Sequence, residues 1–450
     1  PPAAAAAAVF IVMVARVFPH TVVDGDAVLC VNPWNAATVA EALARSAGAI
    51  PQPAAQPTSD IVIAIGTDAA ADLYIGGDDW TAIVTTTPVT AASNGGGLGL
   101  HAAACFAAAE ISKRALGPHG MISVPMRDEI VFNLIDHRLH AAPTVENARR
   151  RPARAALFGC GSVGSSAAAV LACSDHRIGH AWLVDPDTID PLRNPFRYPA
   201  LTGTEQGAKP QWVAEMLNKA GWTTTPHRGD VASWVTAQPS PGLYGLALSS
   251  VDTVGGRRDV ADALAHTTVS AGVAGLALHV QIEHPADDYA CAYCDFVDVR
   301  TALEESHVRA ELTGLTEQRV IELTADATLT EADVHAAIAA GRIHADRADG
   351  LVGRRLEDLI RRVYAQATVP LPAVAATASV SAPHVSWFGG VLLAAEVDKH
   401  ALGIPLLHRR ADFDLAGVPL GTTTVRPRDP TGRCLCAQTA RRQWAQRLYP

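Results

Sequence analysis

The sequence predicts a mixed α/β protein: two doubly wound domains in series, a helical insertion, and a C-terminal tail stapled back by cysteines. Three observations carry this. Apolar runs of strand length alternate with helical patterns, which calls for parallel strands covered on both faces. The string LFGCGSVGSSAAAVLA, Leu157 to Ala172, leads an apolar strand straight into Gly159, Gly161 and Gly164 and then into a helix. CAYC, with Cys291 and Cys294, is answered far downstream by CLC, with Cys434 and Cys436.

The opening PPAAAAAAVFIVMVARVF reads as a buried first strand, because it has no basic leader and its apolar stretch, broken at Arg16, is too short to span a bilayer. AVLCV (Ala27 to Val31), DIVIAIG (Asp60 to Gly66) and WTAIVTT (Trp80 to Thr86) follow as strands among the helices ATVAEALARSAG and HAAACFAAAEISKRAL. The run NGGGLGLHAA matches GxGxxA at Gly97, Gly99 and Ala102, but polar residues separate it from the preceding strand, which argues against a phosphate role. Gly120 to His140 reads as strand and connector, and Arg149, Arg150, Arg151 and Arg154 mark a solvated linker.

The second α/β unit begins at the glycine turn. Strand AWLVD (Ala181 to Asp185), helix AKPQWVAEMLNKA, strand LYGLALSS, helix RRDVADALAH and strand TTVSAGVAG succeed it. After Cys294 the pattern is helical, with a capping signal at Thr330 and Asp333 and helical periodicity in RRLEDLIRRVY. Pro370 to Pro383, rich in Ala, Ser and Pro, reads as a loop; one more helix, HVSWFGGVLLAAEVDKHALG, precedes a strand-rich tail. The expected domains are 1–145, 146–294, 295–370 and 371–450.

At 450 residues and 49% hydrophobic the chain can bury a full core. A formal charge of −9 leaves no footprint for nucleic acid or an anionic membrane. Eight cysteines are too sparse for a disulfide framework and favour metal in a reducing, cytoplasmic setting.

At the glycine turn the Rossmann-like pattern supplies a sharp reversal, a close approach to phosphate, and tight helix packing. Backbone amides at the helix start then meet negative charge. Asp185 stands 21 residues beyond Gly164 at the end of the next strand, where a carboxylate reaches a ribose. So far a nicotinamide dehydrogenase fits equally well. The strings LVDPDTIDPLRNPFRYP, GAKPQ and LSSVDTVGGRRDV separate the two readings, because attack on an α-phosphate needs cations and a metal ligand. Asn194, Arg197 and Lys209 lie just beyond Asp185 and Asp187, and Asp252 follows the next central strand. A dehydrogenase would need an acid or base on the hydride side, and the second half offers no such constellation.

In this order of residues the chain resembles the ubiquitin-activating-enzyme-like adenylyltransferase superfamily of ThiF/MoeB type, in a bacterial form with a fused N-terminal inactive half. The specific match covers Ala155 to about Gly275 plus the cysteine-rich tail. The resemblance implies ATP and Mg2+ as cofactors, with Asp185 on the ribose, Arg197 and Lys209 on the phosphates, Asn194 assisting, and Asp252 on magnesium. It implies that Arg257 is structural or orients substrate. It also makes residues 1–145 a pseudo-adenylation domain, forming an intrachain pseudodimer with the active half, and a homodimer is a further expectation. In such enzymes the paired half lends an arginine to the ATP site; Arg16 is the candidate here, against a surface ion pair.

Cys291, Cys294, Cys434 and Cys436 make a four-thiolate structural site for Zn2+, closed to catalysis, although CxC departs from the family's second CxxC. No cysteine occurs between Cys294 and Cys434, where thioester-forming relatives keep their nucleophile, and VYAQATVP (Val363 to Pro370) is the place to look for a replacement. The function read from the sequence is ATP-dependent adenylation of the C-terminal carboxylate of a ubiquitin-like protein for transfer to a conjugating enzyme or other acceptor. The alternatives are adenylation of a ribosomal peptide in a modification pathway and a nucleotide-binding scaffold without turnover.

Overall fold

A computed structural model describes residues 2–17, 21, 27–29, 32–47, 61–67, 70–92, 97–116, 124–145, 151–173, 179–190, 194–238, 245–297, 305–325, 327–345, 348–364, 369–371, 376–378, 382–406, 410–415 and 418–449. The chain divides into two compact units, Pro1–Tyr293 with Ser381–Pro450, and Cys294–Val380.

The N-terminal segment is a helix, α1 (Pro2–Ala15), not the expected buried strand. Its run of six alanines is the strongest helix-forming sequence available and outweighs the β-branched stretch after it. Apolar all round, it is buried all round: Ala6, Val9, Val12 and Met13 are each 1% exposed or less. It packs on α2 (Val39–Ala47) and α3 (Leu98–Leu116). Among the described residues no helix is long and apolar enough to cross a membrane. Of AVLCV, Val28 makes one isolated bridge to Thr38, while Cys30 and Val31 lie outside the described residues.

A four-stranded sheet follows, in the order β1 (Ile63–Ile65), β2 (Leu73–Gly77), β3 (Thr81–Thr85), β4 (Glu129–Asn133). Only β1 and β2 run parallel; β2–β3 and β3–β4 are antiparallel. The small sheet therefore lacks the parallel winding expected of a fused inactive half. The cause is the short connection between β2 and β3, where Asp78 Oδ1 accepts from the amides of Trp80 and Thr81, each at 2.7 Å. So short a link closes a hairpin and leaves no room for a crossover helix.

The large sheet is doubly wound. Its order is β14 (Val418–Thr424), β13 (Arg410–Asp414), β10 (Ala277–Glu283), β9 (Thr267–Ala274), β8 (Leu246–Ser249), β5 (Ala153–Phe158), β6 (Gly179–Val184), β7 (Thr223–His227). From β9 to β7 the neighbours are parallel, and β10, β13 and β14 extend the sheet antiparallel. Along β5 the side chains alternate between two cores: Ala155 and Leu157 join the main one, Ala156 and Phe158 the other. That alternation is what cover on both faces requires.

The helices α4 (Ser162–Ala172), α6 (Lys209–Lys219) and α13 (Pro383–Leu402) contribute to the main core, while α7 (Val231–Ala237) and α8 (Val254–Asp262) supply Trp234 and Val260 to the second. Between α4 and α6 lies the single-turn α5 (Asn194–Arg197). At Gly390 a Cβ would stand 2.5 Å from the Ala167 nitrogen, so α13 crosses α4 at backbone contact. On its other side Phe388 meets Phe106 at 4.9 Å and Phe413 at 5.4 Å between ring centroids, which ties α3 and the large sheet into one core.

The second unit holds α9 (Glu305–Thr313), α10 (Glu317–Ala325), α11 (Glu331–Ala339) and α12 (Leu356–Tyr364) around Val320, Leu329, Leu356 and Leu359. The capping box expected at Thr330 and Asp333 forms, and Arg319 clamps Asp333 at 2.8 and 2.9 Å. Where a loop was expected, β11 (Val369–Leu371) pairs antiparallel with β12 (Ala376–Ala378). Of VYAQATVP, residues 365–368 lie outside the described residues.

Candidate functional site

Strand β5 delivers the chain to a turn in which three glycines have three different reasons to be glycine. Gly159 adopts φ +90°, a conformation that a side chain strains. A Cβ on Gly164 would lie 2.0 Å from the Gly159 carbonyl oxygen, so the first turn of α4 packs on the reversal itself. At Gly161 the nearest heavy atom to a Cβ would be Tyr198 Oη, at 3.7 Å. No atom of the protein demands glycine there. Gly161 is also the N-cap of α4 and caps it with no side chain, which leaves the helix start open to an external acceptor.

The turn is held from beneath by two groups. Asp185, 6% exposed at the end of β6, accepts from the amide of Cys160 at 2.6 Å and from that of Asp187 at 2.8 Å. Burial raises its carboxyl above the usual range, against the pull of Lys209 and these two amides. Ser250, just past β8, donates its hydroxyl to the Gly159 carbonyl at 2.9 Å and its amide to the Phe158 carbonyl at 2.9 Å. The Cys160 thiol is pushed well up by burial and is inert.

Lys209 opens α6, 8% exposed, and its ammonium donates to Asp187 Oδ2 at 2.7 Å and stands 5.9 Å from the Tyr198 ring centre. Burial disfavours the charge, but Tyr198, Asp187 and Asp185 outweigh it and raise the lysine above its ordinary value. It is a fixed cation at any physiological pH. Gly159, Gly161, Gly164, Asp185, Asp187, Lys209 and Tyr198 thus gather at the C-terminal edge of the parallel strands, where open α/β sheets take ligands.

Asn194 is buried, and its Oδ1 accepts from the Asp190 amide at 2.7 Å, so it holds the bend that starts α5. Arg197 ends α5 exposed, and Asp252 lies exposed two residues past Ser250; the side chains that bond the turn among the described residues are those of Asp185 and Ser250. Arg257, on α8, reaches toward Gly272 of β9, where a Cβ would stand 3.1 Å from Nη2. Ser250 and Tyr198 escaped the sequence reading. Tyr198 was signalled only by its place next to Arg197, and Ser250 by a doubled serine at a strand end.

Arg16 is not a surface ion pair. It is 8% exposed, and Nη2 donates to the carbonyls of Leu201 at 2.5 Å and Pro199 at 3.1 Å, while Trp34 Nε1 donates to Pro199 at 2.9 Å. Burial lowers it to about 9, with Glu205 opposing. The N-terminal segment therefore anchors the chain that follows Tyr198.

The four cysteines converge. The Sγ atoms of Cys291, Cys294, Cys434 and Cys436 lie within 4.8 Å of one another, with Cys291 and Cys434 at 3.4 Å. Two supports fix the first pair: Gln281 donates to the Ala290 carbonyl at 2.6 Å, and Glu283 accepts from the Ala292 amide at 2.9 Å. Asp429 fixes the second by accepting from the amides of Arg433 and Cys434, each at 2.8 Å. Four buried or half-buried sulfurs at this reach suit a tetrahedral soft-metal site, and zinc foremost.

No known family matches the chain, and no curated protein does. Among solved structures it is similar to E. coli MccB with AMPCPP and MccA, at 14% identity and TM-score 0.39, over 63% of this chain and 66% of that one. It is also similar to E. coli MccB alone (16%, TM-score 0.40, 64% and 66%) and to PaaA (13%, TM-score 0.35, 62% and 74%). The chain spans just under two thirds of MccB's length. Likeness this distant assigns no activity.

Proposed function

We propose that the protein adenylates the C-terminal carboxylate of a polypeptide, using ATP and Mg2+, as the resemblance to ThiF/MoeB-type enzymes implies. One observation carries the reading: Gly161 is a glycine that only an incoming ligand would need, at the uncapped start of α4 and between two glycines the fold itself requires. The amides there would hold phosphate, and Asp185, already fixed on the turn, would take the ribose. Lys209 would stabilise the charge that builds on the α-phosphate as the carboxylate oxygen attacks and pyrophosphate leaves. Asp252, an exposed carboxylate at the same sheet edge, suits the hard magnesium ion, whose charge would assist that step. Arg197 would swing onto the phosphates from the end of α5.

The absence of any cysteine between Cys294 and Cys434 favours, within this reading, a short ribosomal peptide over a ubiquitin-like protein passed on as a thioester. The four cysteines would hold zinc as a structural staple. The decisive experiment is ATP/pyrophosphate exchange with peptides and ubiquitin-like proteins offered with free and amidated C-termini. Exchange is expected only with a free terminus, and Lys209→Met should lower it by about 10²–10³-fold. Binding of NAD in place of ATP, or exchange indifferent to the terminus, would overturn the proposal.

A further inference from the structure

Beside the cysteine cluster is a small cavity, about 20 Å3, lined by Cys291 and Cys436 together with Glu283, Arg428 and Arg441. It has room for one ordered water. Arg428 reaches it because Tyr289 and Pro427 form a bridge and the Arg428 amide donates to the Asp288 carbonyl, which lays this segment along the approach to Cys291. Arg428 is 9% exposed as a residue. Nη2 donates to the Pro285 carbonyl at 2.8 Å, but Nε and Nη1 are buried without a hydrogen-bond partner among the described residues. A buried donor left in that state costs of order 1–3 kcal/mol, more when charged, unless something absent from the chain accepts from it.

The neighbouring charges narrow down what that is. Arg441 is already paired with Asp262 and the Ala261 carbonyl. Glu283 has one oxygen committed to the Ala292 amide. Thr268, His284 and Tyr289 also line the cavity, and so do the sulfurs of Cys291 and Cys436, two of the four cluster ligands. Four thiolates on one divalent ion carry a net charge of about −2, in a place where three of the four cysteines are buried. Charge of that size in a low-dielectric pocket calls for a cation close by.

We propose that Arg428 is the buried counter-cation of the metal-loaded cysteine cluster, donating to its sulfurs directly or through one water, and so sets how tightly the cluster holds its ion. The inference rests on the zinc reading of the cluster. Arg428 is thus a positioning residue with no part in the nucleotide site.

The test uses the full chain loaded with Zn2+, its affinity read by chelator competition, and the Co2+ form read by absorption. Arg428→Met should weaken zinc about 10–100-fold. It should also move the thiolate-to-cobalt charge-transfer band to lower energy, because N–H donors stabilise the sulfur lone pairs. Arg428→Lys should restore most of the affinity, and it also serves if the methionine variant fails to fold. Unchanged affinity and band in Arg428→Met, on a wild type that binds one zinc, would overturn this inference alone. A wild type that binds no metal would overturn the zinc reading and this inference with it.

Discussion

The chain contains two glycine-rich entries into a helix, and they have opposite surroundings. Before α3, Gly97 takes φ +60° and a Cβ on Gly99 would stand 2.2 Å from the Thr81 carbonyl oxygen and 2.5 Å from that of Asp78. The Gly97 amide is taken by Asp79 Oδ1 at 2.9 Å, so the helix start is filled by the protein's own carboxylate and backbone. Before α4, Gly159 and Gly164 are required by the fold, a Cβ on Gly161 would meet Tyr198 Oη only at an ordinary 3.7 Å, and a lysine stands near. Strings of the same shape therefore do different work, and what distinguishes them is whether the space a Cβ would fill is already occupied.

Three substitutions can break or sharpen that contrast. Gly164→Ala and Gly99→Ala both force a carbon into a carbonyl oxygen, and each should cost about 2–4 kcal/mol by urea unfolding. ATP-dependent thermal stabilisation should vanish in the first and survive in the second. Loss of ATP binding in Gly99→Ala would erase the contrast. Gly161→Ala should cost no more than about 1 kcal/mol of stability, the difference between glycine and alanine as an N-cap, and still weaken ATP binding at least tenfold by calorimetry; unaltered binding would make Gly161 an ordinary N-cap.

The smallest effect concerns the carboxylates beneath the two turns, Asp79 and Asp185. Burial raises Asp185 above its unfolded value, so its charge costs stability at neutral pH, and that cost is relieved as pH falls toward its folded value. Nucleotide binding that uses the charged form should weaken over the same interval. The ATP-induced melting shift should thus shrink as pH is lowered from neutrality in wild type and in Asp79→Ala, yet stay small and flat in Asp185→Asn. A flat profile in wild type would detach Asp185 from the site.

What the sequence made legible follows the range of the interactions involved. The second glycine turn, Asp185, Lys209 and the cysteine pairs were readable because each sits at a fixed offset from a strand end or from its partner. The small sheet was misjudged because β2, LYIGG, holds two glycines and was not counted, which hid the hairpin that makes the sheet antiparallel. The first helix was misjudged because Val9, Ile11, Val12 and Val14 look like a strand until their burial on every side is known. Arg16 and Ser250 act on residues far away in the chain, and no local pattern announces such contacts.

The order in which the large sheet is completed bears on how the chain leaves the ribosome. Strand β10 pairs with β13, Leu278 opposite Phe413, and α13 covers α4, β5 and β9, yet β13 and α13 both follow the whole of Cys294–Val380. At about 5–20 residues per second, synthesis of that intervening unit takes ~4–17 s. Throughout that interval the parallel strands have emerged with α4 and α6 in place but without α13 over α4, β5 and β9, and without β13 on the β10 edge. The nascent protein must therefore hold an unfinished sheet for seconds, a window in which chaperone capture or aggregation competes with folding.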